Sequence, residues 1–370
     1  MRIYILGIRG FPKIQGGAEK HCEELCPRLA ELGCEITVLA RTAFFPKQNR
    51  DNRWKGVQFI YCWCPRKEGM EAFIHTFLGS LICMSKRPDI VHFHNMGPAI
   101  FIPILKIVGI KTVFTYHSIN YEHQKWGKFA RIVLRAGEFL GTKFADKVIV
   151  ISKAIKEFLE KKYGRKDLEF IPNGVNSPEI LPPGATLKKY TLEPKKYIFT
   201  ACRFVPEKGL HNLIGAYKKI KNANFKLVIA GDAYHETDYS RRIKQAAKET
   251  DGIILTGFVS GRPLQELYSN AGLFVLPSYY EGLPIALLEA MSYGLPVLVS
   301  DIPQNREVSL QDFRYFKAGN VEELSVKMVE LLKMGITEDE KKRIQEVLQR
   351  EYDWDKIARR TFEVYESLLN

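Results

Sequence analysis

Glu281 and Glu289 are the two charges in SYYEGLPIALLEAM, a stretch whose other residues read as buried core. A pair of carboxylates suggests a general acid and a general base. Carboxylates also accept hydrogen bonds from paired hydroxyls such as those of a sugar or a ribose. The stretch follows the apolar run LFVLPS, and Pro284 suits the first turn of a helix. Glu281 is therefore expected in the entry loop and Glu289 about a turn and a half inside the helix. The plainer alternatives are a helix-dipole partner for Glu281 and a solvated helix residue for Glu289. Leu288 and Ala290 on either side of Glu289 argue against the second.

Three other stretches place reactive residue types after an apolar run. In TACRFVPEKGL, Arg203 and Lys208 flank a loop ahead of a helical pattern. An arginine fork and a lysine point charge there could receive a diphosphate, or could be two solvated surface cations. In IRGFPKIQGGAEK, Gly16 and Gly17 stand at a helix entrance, where backbone amides can approach a phosphate; the alternative is a simple turn. The GxGxxG fingerprint of dinucleotide binding is absent there. In FTYHS, His117 follows an apolar run and should emerge at the edge of a sheet, as a functional or a packing residue. His92 and His94, within DIVHFHN, read as satisfied core residues.

The elements that must position these residues alternate between short runs rich in Val, Ile and Phe and longer helical patterns. That alternation marks parallel sheets covered by helices. Strands are expected at RIYILGI, EITVLAR, VQFIYCW, DIVHFHN, TVFTYHS, KVIVIS and LEFIPNGV, then at YIFTACR, FKLVIAG, IILTG, LFVLPS and PVLVS. NSPEILPPGATLKKYTLEPKK, rich in Pro and polar residues, reads as the linker. The fold class is α/β, with two doubly wound domains. Ligands in such folds bind beyond the carboxyl ends of the strands, where all four stretches lie.

A chain of 370 residues accommodates two domains at roughly 150 residues each. Seven cysteines at scattered spacings form no disulfide framework and point to a reducing, cytoplasmic compartment. A metal site built from Cys62 and Cys64 with Cys22, Cys26, His92 or His94 fits the common zinc spacings poorly, so no metal is expected. Arg9 interrupts the N-terminal apolar run before a signal core could form. PAIFIPILKIVGI is shorter than the roughly 20 residues a membrane span needs. The net charge of +13 is uneven: residues 1–178 carry 28 Lys and Arg against 16 Asp and Glu, or +12 of it. Such a field attracts nucleic acid, anionic lipid or a phosphorylated substrate.

Taken together, EGLPIALLEAMSYGLPVLVSD, ACRFVPEKG and IPNGV resemble the retaining family 4 glycosyltransferases of the GT-B fold. LGIRGFPKIQGGAE, KGVQFIY, RPDIVHFHNMGPA, KWGKFAR and FADKVIVIS resemble the subgroup that contains rhamnosyltransferases of capsule and cell-wall polysaccharide assembly. The resemblance spans essentially the whole chain. It implies two Rossmann-like domains facing a central cleft: residues 1–178 on the acceptor side, 179–350 binding the nucleotide sugar, and a terminal helix, 351–370, crossing back to the first. It further implies that Arg203 and Lys208 hold the donor diphosphate, with Gly16 and Gly17 closing over it. Glu281 would hold sugar hydroxyls, Glu289 the ribose, and the amides of Gly282 and Leu283 a phosphate. His117 would lie near the donor sugar, Asn173 on the donor side and Glu19 on the acceptor side. The subgroup has an aspartate three residues after the histidine, where this chain has Asn120.

The implied substrate is a dTDP-, UDP- or GDP-linked sugar, with no cofactor. The implied acceptor is a glycan or a polyprenyl-diphosphate-linked glycan. Lys125, Lys128, Arg131 and Arg135, with Trp126 alongside, are spaced for one helical face and suit an anionic inner membrane surface; a solvated face is the alternative. Competing readings are a sugar-nucleotide epimerase or phosphorylase of the same fold, an inactive scaffold, and a basic nucleic-acid-binding protein. Against the last, the cations are scattered over one half and no nucleic-acid module is present.

Overall fold

The apolar runs of the first half form one eight-stranded sheet. The computed structural model describes residues 1–67, 69–119, 127–220 and 225–369. Asn120, Lys125 and Trp126 lie outside them. Along the chain come β1 (Arg2–Leu6), α1 (Gly17–Glu31), β2 (Glu35–Arg41), β3 (Arg53–Trp54), β4 (Val57–Cys62), α2 (Met70–Lys86), β5 (Ile90–His94) and α3 (Ile102–Ile107). These are followed by β6 (Lys111–Tyr116), α4 (Lys128–Phe144), β7 (Lys147–Val150), α5 (Lys153–Tyr163) and β8 (Leu168–Phe170). The order across the sheet is β3-β4-β2-β1-β5-β6-β7-β8. All pairings are parallel except β3 with β4, a two-residue edge too short to show in the hydrophobic pattern.

In the second half, α6 (Ala185–Lys189) precedes β9 (Tyr197–Ala201), α7 (Leu210–Lys219), β10 (Lys226–Ala230), α8 (Asp238–Lys248), β11 (Ile253–Gly257) and α9 (Arg262–Asn270). Then come β12 (Leu273–Leu276), α10 (Ile285–Ser292), β13 (Val297–Ser300), α11 (Pro303–Arg306), β14 (Tyr315–Phe316), α12 (Val321–Met334) and α13 (Glu338–Glu351). The six strands are all parallel, in the order β11-β10-β9-β12-β13-β14. Leu227, Ile229, Val275 and Leu298 from the sheet pack with Leu213 of α7 and Leu324 and Met328 of α12. Each such side chain contributes roughly 1.5–3 kcal/mol when fully buried.

By contacts the chain divides into Met1–Asn173 with Trp354–Asn370, and Gly174–Asp353. The closing helix, α14 (Trp354–Leu369), thus belongs with the first sheet. Its Ile357 and Tyr365 join Leu25 and Leu29 of α1 in that domain's core. The stretch read as a linker is not a free connector. Leu181 and Leu187 are buried in the second domain, and α6 is tied to α9 by Glu266. That carboxylate accepts from the amides of Gly184 (2.7 Å), Thr186 (3.2 Å) and Leu187 (2.9 Å). Most of the stretch is exposed, as its composition suggests, but these buried residues anchor it to the second domain.

In each sheet the chain winds outward in opposite directions from one point. It lies between β1 and β5 in the first and between β9 and β12 in the second. Such switch points leave a crevice beyond the carboxyl ends of the strands.

Candidate active site

In the C-terminal domain the loop after β9 and the loop after β12 meet at the switch point. A one-turn 3-10 segment, Pro206–Lys208, ends at Gly209, whose φ is +63°. A Cβ at Gly209 would stand 2.1 Å from the carbonyl oxygen of Pro277, so only glycine lets the two loops approach so closely. Tyr279 N–H then donates to the Glu207 carbonyl at 2.8 Å. This approach brings Lys208 Nζ to 2.6 and 2.7 Å from the two carboxylate oxygens of Glu281. Glu281 is buried and also accepts from Ser278 Oγ at 2.6 Å. Ser278 is anchored in turn, since its carbonyl accepts from Ser300 Oγ. Lysine has three N–H donors and a carboxylate about four acceptor positions, so each partner keeps capacity for a ligand. The Arg203 guanidinium, half-buried in the same loop, makes no hydrogen bond or ion pair among the described residues.

Pro284 is the residue before α10, not part of its first turn, with ψ at 108°. A proline forces the preceding residue away from the helical region. The Gly282-Leu283-Pro284 entry is accordingly non-helical, and the helix starts at Ile285. Glu289 sits one turn in and accepts from Tyr268 Oη at 3.2 Å. Tyr268 stacks on Tyr293, with ring centroids 5.2 Å apart. Its phenol is pushed up by burial and then by the Glu289 charge, so it stays a donor.

The N-terminal domain builds a different site at its own switch point. His94 ends β5, His117 follows β6, and His21 of α1 faces both; all three are buried. His94 Nδ1 lies 2.9 Å from His117 Nε2, and His94 Nε2 lies 3.5 Å from Cys22 Sγ. His21 Nδ1 lies 2.9 Å from Asn173 Oδ1. Beneath them His92 bonds Tyr365 Oη and Thr115 Oγ1, each at 2.6 Å. Burial lowers His21 to about 4 and His92 to about 3, and drives His94 and His117 well below the usual histidine range. Burial, followed by neighbouring Cys26, pushes the Cys22 thiol well up. The cluster is neutral at pH 7.

Ring nitrogens of His21, His94 and His117 lie within 4.8 Å of one another, the spacing of a possible metal site. No cysteine joins that group, and all seven cysteines are free. Binding one ion through all three rings would compete with the His94–His117 and His21–Asn173 hydrogen bonds.

Gly16 and Gly17 open α1. A Cβ on Gly16 would meet Glu19 Oε2 at 2.0 Å, because the buried Glu19 folds back over it. Glu19 Oε1 accepts from Arg9 N–H at 3.2 Å and from its guanidinium at 3.1 Å. Glu19 is therefore an internal partner of the glycine loop and not a surface group. Asn173 joins the histidines. Lys128 and Arg135 are exposed on α4, and Arg131 is half-buried. His21 and Ser278 escaped sequence reasoning, and so did Tyr268, Tyr365 and Trp354, whose ring meets that of His21 with centroids 5.5 Å apart; Cys22 entered only as a poorly spaced zinc ligand. A histidine one turn after Gly17 was the one available signal, and it carries no meaning until β5 and β6 are placed beside it.

Residues 186–349 match the family model described as glycosyl transferases group 1, and residues 15–177 match the model of glycosyltransferase family 4. The chain belongs to this glycosyltransferase family. An uncharacterized glycosyltransferase of Methanocaldococcus jannaschii is 25% identical, with 96% of this chain and 95% of that one covered. An Escherichia coli enzyme named UDP-Gal:alpha-D-GlcNAc-diphosphoundecaprenol alpha-1,3-galactosyltransferase is 29% identical, over 62% of each chain. Among solved structures, a sucrose-phosphate synthase from Thermosynechococcus elongatus superposes with a TM-score of 0.81 at 20% identity, covering 100% of this chain and 99% of that one. The glycosyltransferase fold is GT-B, two Rossmann-like domains with parallel sheets.

Proposed function

We propose that this glycosyltransferase moves a sugar, with retention of its anomeric configuration, from a nucleoside diphosphate to a lipid-linked glycan in surface polysaccharide synthesis. The observation that carries the reading is the pairing of half-buried Lys208 with buried Glu281 at the C-terminal switch point, with Arg203 in the same loop. Cleaving the anomeric C–O bond places negative charge on the departing nucleoside diphosphate. Arg203 and the remaining Lys208 proton stabilise that charge from fixed positions, with the Gly282 and Leu283 amides assisting. Glu281, its charge balanced by Lys208, orients the sugar through a hydroxyl, and Glu289 takes the ribose. The acceptor hydroxyl attacks from the face the diphosphate leaves, and a diphosphate oxygen receives its proton.

The buried Cys22 thiol donates to His94 Nε2, so His94 Nδ1–H donates to His117 Nε2. His117 Nδ1 then carries the outward proton and hydrogen-bonds the sugar. A lipid diphosphate acceptor and a uridine-linked donor are supported by the name of the E. coli relative. Rhamnose as the transferred sugar rests on the N-terminal motifs. The test is a panel of nucleotide sugars assayed for protection against thermal unfolding, since a ligand that binds the native state alone must stabilise it. Stabilisation by one of them and by its nucleoside diphosphate is the expected result; stabilisation by DNA or RNA alone would refute the reading.

A further inference from the structure

The helices α2, α3 and α4 cover one face of the N-terminal sheet side by side, with α3 packed on both neighbours. Their outward residues are unusual for a soluble surface. Along α2, Met70, Phe73, Phe77 and Leu81 follow a three-four-four spacing on one stripe, and all are exposed. On α3, Ile107 is 85% exposed and Ile104 is exposed beside it. On α4 the stripe Lys128, Ile132, Arg135, Phe139, Lys143 alternates cation and hydrophobe, all exposed. Soluble surfaces rarely carry so continuous an apolar area without a partner.

The charges around it are predominantly basic, although Glu68 stands beside Lys67 and Asp89 follows Arg87 in the sequence. Arg66 and Lys67 precede α2, Lys86 and Arg87 end it, and all four are exposed. The three helices carry two acidic residues, Glu71 and Glu138, and both are buried. Glu71 pairs with Arg41 at 3.3 Å. Glu138 takes hydrogen bonds from Tyr116 and Tyr163, each at 2.5 Å, and pairs with Lys162. The two acids of these helices are thus turned inward.

We infer that the outward face of α2, α3 and α4 docks on an anionic lipid bilayer. The aromatic and aliphatic side chains enter the headgroup and acyl boundary while the cations meet lipid phosphates. This deepens the functional reading, because a lipid-linked acceptor is presented at such a surface. It adds α2 and α3 to the basic face of α4 that the spacing of its cations suggested.

Co-sedimentation with vesicles of phosphatidylethanolamine and phosphatidylglycerol, against phosphatidylcholine alone, tests it. The wild type is expected to partition onto the anionic vesicles and to be released by salt. The triple variant Phe73→Ser/Phe77→Ser/Ile107→Ser should lose that binding, and Lys86→Glu/Lys143→Glu should weaken it by at least about fivefold per cation. Nucleotide-sugar protection, measured on the same preparations, should be unchanged in both variants, which separates failure of this surface from failure of the donor reading. The inference is overturned if the wild type ignores both vesicle types or binds them equally. It is equally overturned if the triple variant still binds, or if sedimentation equilibrium shows that these residues hold together two copies of the chain while vesicle binding persists.

Discussion

Both domains place their polar residues at the switch point of a parallel sheet, yet they satisfy them in opposite ways. The C-terminal domain buries a charge and balances it with a neighbouring opposite charge, Glu281 against Lys208. At its switch point the N-terminal domain buries four imidazoles, which desolvation keeps uncharged and which hydrogen-bond to one another and to Cys22, Asn173, Thr115 and Tyr365. The first arrangement offers fixed charge to a charged leaving group. The second offers oriented, neutral donors and acceptors, which suit hydroxyls. The division suits the proposed transfer, with a charged leaving group at one end and hydroxyls at the other.

The largest effect should come from disturbing the ionic site. Glu281→Gln is expected to keep the fold and lower kcat/KM by roughly 100- to 1,000-fold in a nucleotide-release assay. Lys208→Met should lose as much activity and also destabilise the protein by about 3–5 kcal/mol, because it leaves a buried carboxylate unpaired. Equal stability of the two variants would mean that the pair is not electrostatically coupled. The neutral site should respond to pH instead. His21 titrates near 6.5 when unfolded and about 4 when folded, so the unfolded chain binds the extra proton between those values. Stability is therefore full above pH 6.5 and falls as pH drops toward 4. Between pH 7 and 5 this one group costs about 2 kcal/mol, readable by denaturant unfolding; a flat profile would contradict a buried neutral cluster.

Smaller effects refine the contrast. His117→Ala should lower kcat/KM roughly tenfold, the worth of one hydrogen bond to substrate, with nucleoside diphosphate affinity unchanged. Tyr268→Phe frees Glu289 from one donor without emptying the core, and should change nucleotide Kd by about fivefold or less.

The sequence exposed these two sites to different degrees. Lys208, Glu281 and Glu289 were legible because charges in strand-to-helix loops and in an apolar helix violate the local pattern. All twelve strands expected from apolar runs form, whereas β3 and β14, of two residues each, carry no periodicity to detect. The histidine cluster was legible only at His117. His21 and Cys22 lie on α1, whose sequence shows an apolar face through Leu25 and Leu29 but not the strands it meets, and Tyr365 and Trp354 arrive from the far end of the chain. Pro284 misled by one residue, since its restriction acts on Leu283 before it can open a helix.

In the proposed reaction the cations of the C-terminal domain receive a diphosphate. Calorimetric titration of UDP and of uridine into the wild type and Arg203→Met tests it most directly, because Arg203 makes no hydrogen bond or ion pair among the described residues and its loss should not disturb the fold. UDP is expected to bind the variant at least about tenfold more weakly, in keeping with a lost charge-assisted hydrogen bond, while uridine distinguishes the two proteins little. UDP binding of equal strength to both proteins would contradict it.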